Sequence, residues 1–308
     1  MKTLLKLSAI LTAACIAVST SVAQAATWSD TFFGYRYGND FHDPNNTNDL
    51  EKHVLQYTNI SGYSVGQNFI NLDILQSDSN DPANGSANGA TEFYLNYRHQ
   101  LHLGRAADKN LAFGPVKEVA ITAGFDLNTK NNRFAPRKRL LVAGPTLKFN
   151  VPGFLDLSLL AGQESNHCGR GAPACSQSDI TFDPQWIISA AWGIPFQAGP
   201  VPLKFQGFLN YNSKKGRDYA DVETKAEILM RTSLMVDVGQ MASDKKNTFL
   251  LGVGYELWRN KFGNHSVADG TRKSGIDTDA LTFQMEWHFL EEPRPGAWRS
   301  DVTMRIIS

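Results

Sequence analysis

The most constraining feature of this chain is a segment of uninterrupted two-residue alternation near its C-terminus. From Leu281 to Phe289 the sequence LTFQMEWHF places an apolar or aromatic side chain at every odd position and a polar or charged one at every even position. Successive side chains of a β-strand point to opposite faces, so this strand would have one apolar and one polar face. A tilted strand that crosses a bilayer needs about 9–11 residues. The segment therefore predicts a strand of a membrane barrel.

The N-terminus has the composition of an export signal. Lys2 and Lys6 precede an uncharged apolar run, and Ala23-Gln24-Ala25 follows as a small-residue cleavage site. This order predicts a Sec-type signal peptide at residues 1–25. A lipoprotein cleavage site at Cys15 is the alternative, although the apolar run continues past that cysteine.

Charge and hydropathy exclude several other classes of protein. The 308 residues carry 30 basic and 30 acidic side chains, so no basic excess indicates a nucleic acid polymer as a partner. After the signal, no apolar run approaches the ~18 residues of a membrane-spanning helix. No linker or shift of composition divides the chain, which favours a single domain. Any membrane crossing must therefore be made by strands.

The same alternation recurs along the whole chain, and a persistent period of two favours β-strands over helices. We predict an all-β fold, a transmembrane antiparallel β-barrel of about 12 strands. The predicted strands are centred on Trp28–Tyr37, Lys52–Ile60, Ile70–Ile74, Phe93–Leu103, Val119–Leu127, Leu141–Val151, Leu155–Leu159, Trp186–Trp192, Leu203–Tyr211, Ala226–Val238, Phe249–Leu257 and Leu281–Phe289.

The connections alternate in length. An even-stranded outer-membrane barrel has short periplasmic turns and long extracellular loops. Here Val151–Gly153 is the tightest turn, and Gly104–Pro115 is an exception because it is too long for a turn. The long connections are Gly38–Leu50, Gln76–Ala90, Asn128–Arg137, Gln163–Asp179, Asn212–Ala220 and Arg259–Asp279.

The two faces of the predicted strands differ as they do in a membrane barrel. The apolar faces carry residue types that concentrate where a bilayer meets water, namely Trp186, Trp192, Trp287, Tyr211 and Tyr255. The opposite faces carry too many charges for the dry core of a soluble β-protein, which is the alternative fold. These charges are Asp73, Arg98, Lys148, Asp156, Lys204, Glu227, Arg231, Asp237 and Glu286. We therefore expect a barrel in contact with the lipid of a Gram-negative outer membrane.

One segment resembles a known family. Asp108–Glu118, DKNLAFGPVKE, resembles the Asp…Leu-x-Phe-Gly-Pro-x-x-Glu segment of the nucleoside-specific outer-membrane channels, the Tsx-type family that also contains the OmpK proteins. Asn68–Asp73 is similar to the family's aromatic-rich third strand, and Gly144–Gly153 with Leu155–Asn166 to a later hairpin. The resemblance implies a twelve-stranded barrel with a narrow lumen through which nucleosides diffuse passively.

A nucleoside has a flat aromatic face and a rim of hydrogen-bonding groups, so a selective pore should combine aromatic rings with polar side chains. Base–aromatic stacking contributes about 1–3 kcal/mol, which allows binding and release. Each inward residue could instead pack against a loop or pair with another charge. Strand parity gives as candidate solute-binding residues Phe32, Arg36, Asp73, Tyr94, Arg98, Glu118, Phe208, Glu227 and Trp258.

Two cysteines follow the signal peptide. Cys168 and Cys175 lie in one predicted loop with Pro173 and two glycines between them, and export to an oxidising compartment favours a disulfide. His167 lies beside Cys168, but this spacing is not that of a zinc site. We expect neither a metal nor a cofactor.

The sequence contains no Gly-x-Ser-x-Gly, phosphate-binding loop or zinc-binding helix. His99 falls on an apolar face without a serine beside it, whereas His102 and His288 fall on the lumen side. We therefore predict no catalysis. Three alternatives to a channel for nucleosides or similar small solutes remain: a less selective diffusion porin, a phage or colicin receptor, and a barrel enzyme acting on lipids.

The chain continues past its last predicted strand. Pro293 and Pro295 should end that strand, which predicts a periplasmic tail. An aromatic residue at the end of a final strand, here Phe289, resembles the signal that the barrel-assembly machinery reads, so we expect that machinery as a partner in biogenesis. The predicted segments are a signal peptide at 1–25, a barrel at 26–290 and a tail at 291–308.

Overall fold

The computed structural model describes residues 26–171 and 174–291, with side chains up to Phe289. The predicted signal peptide and all of the predicted tail except Glu291 lie outside the described residues. The described strands are β1 (Trp28–Phe41), β2 (Leu50–Tyr63), β3 (Gly66–Ser77), β4 (Thr91–His102), β5 (Val116–Lys130), β6 (Arg137–Phe149), β7 (Phe154–His167), β8 (Asp179–Thr181), β9 (Gln185–Ala198), β10 (Val201–Asn212), β11 (Glu227–Asp237), β12 (Phe249–Arg259) and β13 (Thr278–Glu291).

Twelve of these strands form one closed antiparallel barrel, as predicted. Each strand pairs with its neighbours in the sequence, except that β7 passes over the short β8 and pairs with β9. The ring closes where β1 pairs with β13, from Ser29 opposite Glu291 to Tyr37 opposite Phe283. β8 pairs only with the last residues of β7 and extends that side of the barrel.

The faces of the barrel are inverted relative to a soluble protein. Apolar side chains such as Val253 and Leu281 point outward and are 62% and 73% exposed. Charged side chains such as Asp73 and Glu256 point inward and are only 2% and 3% exposed. The predicted parity is confirmed for the aromatic and charged residues assigned to the two faces. The polar face lines a narrow lumen.

The strands extend further than the alternation predicts. β1 continues to Phe41 although Gly38, Asn39 and Asp40 are poor strand formers, because its pairing with β2 shifts register there and resumes at Leu50. We call the end that carries the long connections the loop end, and the opposite end the turn end.

Connections at the turn end are short where glycine permits it. Gly153 has a φ of +74°, and a Cβ there would lie 2.0 Å from the carbonyl oxygen of Gly193, so the β6–β7 turn requires glycine. The predicted exception between β4 and β5 contains a short helix, α1 (Leu103–Ala107), and the β11–β12 connection contains α2 (Val238–Ser243). Neither these nor any other helix in the described ranges has the length and apolar character to span a membrane.

Candidate functional site

The lumen is crossed near mid-height by an ion-paired bridge. Arg231 of β11 donates through Nη1 to Asp73 Oδ2 of β3 at 3.3 Å and through Nε to Glu256 Oε2 at 2.6 Å. Arg36 of β1 approaches Asp73 Oδ2 at 3.4 Å. β3 and β11 are separated by β2, β1, β13 and β12 around the ring, so the Arg231–Asp73 contact spans the lumen. We call Arg36, Asp73, Arg231 and Glu256 the central bridge.

The central bridge is a network of paired charges that crosses the lumen. It combines two guanidinium groups with two carboxylates, and all four side chains are largely shielded from solvent. Removal of one member of such a network leaves an uncompensated charge, which is strongly unfavourable. Phe208 of β10 lies beside it, with its ring centroid 5.9 Å from the Arg231 guanidinium carbon. An aromatic face and several polar groups therefore meet where the central bridge crosses the lumen.

A second cluster lines the β4–β6 side of the lumen. The Tyr94 hydroxyl donates to Asp126 Oδ2 at 3.0 Å, and Arg98 Nη1 donates to Asp126 Oδ1 at 2.6 Å. Lys138 of β6 lies 5.9 Å from the Tyr94 ring centroid. These contacts engage the tyrosine hydroxyl and place the Lys138 ammonium over the ring.

Glu227 and Trp258 form a third group at the loop end. Trp258 Nε1 donates to Glu227 Oε1 at 2.6 Å, and the backbone N–H of Phe262 donates to the same oxygen at 2.8 Å. Lys261 Nζ lies 4.2 Å from a Trp258 ring centroid, within the range of a cation–π interaction. The indole is buried beneath the β12–β13 loop, where a solute would have to displace loop residues to reach it.

Asp43 joins three loops at the same end. Its carboxylate contacts the ammonium groups of Lys52 at 3.2 Å and Lys261 at 2.7 Å, and it also contacts Lys130. Lys130 in turn contacts Asp81 of the β3–β4 loop at 2.6 Å. Burial alone would raise the pKa of the Asp43 carboxyl, but Lys261, Lys52 and Lys130 hold that pKa well below its usual range. These five residues, the Asp43 cluster, hold the loops over the lumen.

The turn end carries a separate set of contacts. Phe32 stacks on His288 with ring centroids 4.6 Å apart. His288 Nδ1 lies 2.8 Å from Asp30 Oδ1, and its Nε2 lies 3.1 Å from Glu286 Oε2. Glu118 accepts hydrogen bonds from the backbone N–H groups of Gly104 and Val119, and is thereby engaged by the β4–β5 connection.

The predicted lumen residues thus fall into groups at different heights. The structure brings together Arg36 with Asp73, Tyr94 with Arg98, and Glu227 with Trp258. Phe208 lies beside the central bridge through Arg231, whereas Phe32 and Glu118 stand apart from these groups. All nine lie on the inward parity of their strands. Their contact with a solute stays a prediction.

Sequence reasoning missed several residues that shape the lumen. Glu256 and Phe69 lie on inward parity and could have been found by it; Phe69 lies opposite the inward Arg98 in register. Asp43 and Lys261 lie in loops, where no periodic signal exists. His99 lies on the outward face as predicted, and its ring packs on Tyr63 with Nε2 3.1 Å from the tyrosine hydroxyl.

A group at the loop end could hold a metal ion. Asp40, His42 and Asp49 place one potential ligand atom each within 4.8 Å of one another. Both carboxylates are exposed, and His42 Nδ1 is bonded to the Asp277 carbonyl oxygen. Exposed groups of this kind are common without a metal, and we assign none.

Cys168 and Cys175 are joined by a disulfide in the β7–β9 connection. Both are buried against Phe182 of the same connection and Tyr219 of the β10–β11 loop. Burial raises the pKa of the Tyr219 hydroxyl. This small loop core lies outside the lumen strands.

Replacing both cysteines with serine is expected to loosen this loop core without opening the barrel. A disulfide closing a short loop typically contributes about 2–4 kcal/mol. Limited proteolysis should cut the β7–β9 connection faster in the variant, while the folded barrel persists on a gel. Labelling of the wild-type cysteines by iodoacetamide without reductant would contradict the pairing.

Neither a family model nor a curated protein sequence matches the chain. Similar solved structures include the translocator domain of the autotransporter NalP from Neisseria meningitidis, with 11% identity over 94% of this chain and 98% of that one and a TM-score of 0.45. An outer membrane channel from Pseudomonas putida F1 has 9% identity, covers 87% and 97%, and has a TM-score of 0.46. The KdgM porin has 8% identity, covers 84% and 99%, and has a TM-score of 0.37. We draw no conclusion about function from these similarities.

Proposed function

We propose that this chain forms a passive diffusion channel in the outer membrane of a Gram-negative bacterium, and that nucleosides or similar small polar solutes pass through it without chemical change. One observation carries the proposal: a closed barrel exposes apolar side chains outward and encloses charged ones. Such an arrangement is unfavourable in water and favourable in lipid around a hydrated lumen.

Two bands of outward aromatic rings support the membrane location. Near the loop end, Trp186 stacks on Tyr211 with centroids 5.1 Å apart. Towards the turn end, Trp192 packs on Phe205 and Trp287 on Phe289. Tryptophan and tyrosine concentrate at both surfaces of a bilayer. The bands therefore fit the two interfaces of one membrane.

The composition of the lumen supports a neutral solute with an aromatic face. The charges of the central bridge are paired, so the narrow point does not strongly select for either sign of ion. Phe208 and Tyr94 offer ring faces on which a nucleobase could stack, and the neighbouring polar groups could bond its rim. The resemblance of Asp108–Glu118 to nucleoside channels points to the same solute.

Solute flux into proteoliposomes tests the proposal. We expect adenosine or thymidine to enter much faster than a sugar of similar size, because only the nucleoside gains stacking of about 1–3 kcal/mol at inward rings. Equal rates would contradict nucleoside specificity and favour a less selective diffusion porin. Flux no higher than in protein-free liposomes would remove the channel altogether. Hydrolysis of phospholipid by the purified protein would instead favour an enzyme.

The outward face has its own test. Val253 lies at mid-height on β12, opposite Leu234 and Phe283. Val253→Arg should lower the free energy of unfolding in lipid vesicles by about 2–4 kcal/mol, since the guanidinium would enter hydrocarbon. Ala220→Arg, in an exposed loop, is the matched control and should change it by about 0.5 kcal/mol or less. Equal effects in a urea titration would place Val253 outside the lipid.

A further inference from the structure

Two arginines stand on the outward face of the barrel at the loop end. Arg137 and Arg139 belong to β6 and alternate with the inward Lys138 and Leu140, so both are exposed on the outside. They line a cleft of 280 Å³ whose other walls come from β7 and β8. The remaining lining residues are Ser165, Asn166, Asp179, Ile180 and Thr181.

The charges of these arginines are uncompensated, unlike those of Arg217 and Arg259 at the same end. Among the residues that the structure describes, neither Arg137 nor Arg139 has an ion-pair partner. Arg259, by contrast, contacts Asp279 at 2.7 Å, and Arg217 contacts Asp221 at 3.3 Å. The one carboxylate of the cleft, Asp179, is bonded to His167 Nδ1 at 2.9 Å.

Two further exposed arginines lie in the loops above the cleft. Arg133 belongs to the β5–β6 loop and Arg170 to the β7–β9 connection. The two loops are joined by a hydrogen bond from the Gly169 N–H to the Phe134 carbonyl at 2.7 Å. The outer surface of this side therefore carries a concentration of positive charge.

The cleft lies at the upper limit of the apolar outer surface. Leu141, the next outward residue of β6, is 49% exposed, and Leu127 of β5, opposite Arg139, is also exposed. Two residues along a strand correspond to about 6.6 Å. The stacked Trp186 and Tyr211, on β9 and β10, mark the interface level at the same end of the barrel. Arg139 is thus only two residues along β6 from an apolar surface that suits acyl chains. This position corresponds to the depth of lipid headgroups.

We propose that this cleft binds a phosphate group of a phosphorylated glycolipid in the leaflet around the loop end; this inference rests on the membrane location in the proposed function. A guanidinium binds phosphate oxygens through two parallel hydrogen bonds. Arg137 and Arg139 supply two such groups on one face, and Ser165 and Thr181 add hydroxyl donors. The exposed leucines below the cleft favour a lipid over free phosphate, because they extend the contact to an acyl chain.

Native mass spectrometry of the detergent-purified protein tests this assignment. The probes are lipid A with its two phosphates and the same lipid after dephosphorylation. We expect the wild type to bind the phosphorylated lipid, and the Arg137→Gln, Arg139→Gln double variant to bind it at least about tenfold more weakly. Arg217→Gln removes a loop charge elsewhere and should leave the affinity unchanged.

Several outcomes would overturn the assignment: equal affinity of the wild type for the dephosphorylated lipid, equal affinity of the double variant for the phosphorylated one, or displacement of the lipid by inorganic phosphate at similar concentration. Barrel folding is monitored by heat-modifiable gel mobility. Should the glutamine variant not fold, Arg137→Lys, Arg139→Lys keeps the charge without the planar fork, and binding as tight as wild type would equally contradict the proposal.

Solute flux measured on the same proteins separates this inference from the proposed function. We expect the double variant to transport solute as the wild type does, because the cleft is outside the lumen. If the wild-type protein binds phosphorylated lipid but transports no solute, the channel function is wrong and the lipid-binding assignment of the cleft stands. If the wild-type protein transports solute but binds no phosphorylated lipid, the lipid-binding assignment is wrong and the channel function stands.

Discussion

Arg231→Gln is expected to make the channel cation-selective and more permeable. The substitution breaks the contact across the lumen to Asp73. It also removes the guanidinium charge that neutralises the carboxylates of Asp73 and Glu256. One elementary charge at about 8 Å contributes about 0.5 kcal/mol in water and about 2 kcal/mol at an effective dielectric of 20. The permeability of a cation should therefore rise, and that of an anion fall, by between about twofold and thirtyfold each. Reversal potentials in planar bilayers under a salt gradient measure the ratio of the two.

Lys204→Gln is the matched control for this substitution. Lys204 points into the lumen from β10 near the turn end, so its removal takes away the same charge without breaking the bridge. Conductance should rise in Arg231→Gln and stay near the wild-type value in Lys204→Gln. Identical conductance and selectivity in the two variants would show that the central bridge is not the narrow point.

Asp43→Ala is expected to release the loops from the mouth of the barrel. Lys52, Lys130 and Lys261 would lose their shared carboxylate and remain close together, and breaking a buried ion pair costs about 3–5 kcal/mol. Backbone amides in residues 42–49 and 261–277 should then exchange with deuterium about a hundredfold faster or more. Hydrogen-exchange mass spectrometry measures this directly.

Asp49→Ala is the control in the same loop, because the Asp49 carboxylate is exposed. It should leave exchange in the β12–β13 loop close to that of the wild type. Comparable acceleration in both variants would mean that the Asp43 cluster does not hold the loops.

The hold of the Asp43 cluster on the loops should depend on pH. The folded-state pKa of Asp43 lies well below its unfolded value of about 3.9, so the carboxylate stabilises the loops fully above that pH. The stabilisation is lost as the pH falls through the folded-state pKa, since the protonated carboxyl no longer attracts the lysines. Protection of the loop amides, taken relative to the intrinsic exchange rate at each pH, should therefore fall in the wild type below about pH 4, and that of Asp43→Ala should change less.

The barrel was predictable from the sequence because each strand carries its own evidence. Alternation around Leu281 or Val253 depends only on neighbouring residues, and lipid outside a hydrated lumen imposes it on every strand. The ends of strands were less predictable, as β1 shows by continuing to Phe41 past a register shift at residues of low strand propensity. The helix α1 left no periodic signal because it has a single turn.

The contacts inside the lumen were only partly predictable. Parity placed Arg36 and Asp73 inward but could not show that Asp73 meets Arg231, which is 158 residues away in the sequence. That contact depends on strand number and on the shape of the closed ring. The Asp43 cluster depends in addition on how loops fold over the lumen, for which the sequence offers no period.

The closure of β1 on β13 has a consequence for assembly. The bond between His288 and Asp30 joins residues 258 positions apart, and the backbone pairing beside it connects the first described strand to the last. Until both are present, each would expose an unpaired edge that hydrocarbon cannot satisfy and that other chains could join. The barrel can therefore close only when both its first and its last described strands are present. Deletion of β1 would leave β13 with an unpaired edge, so the remaining strands would lack the closed form that is stable in a membrane.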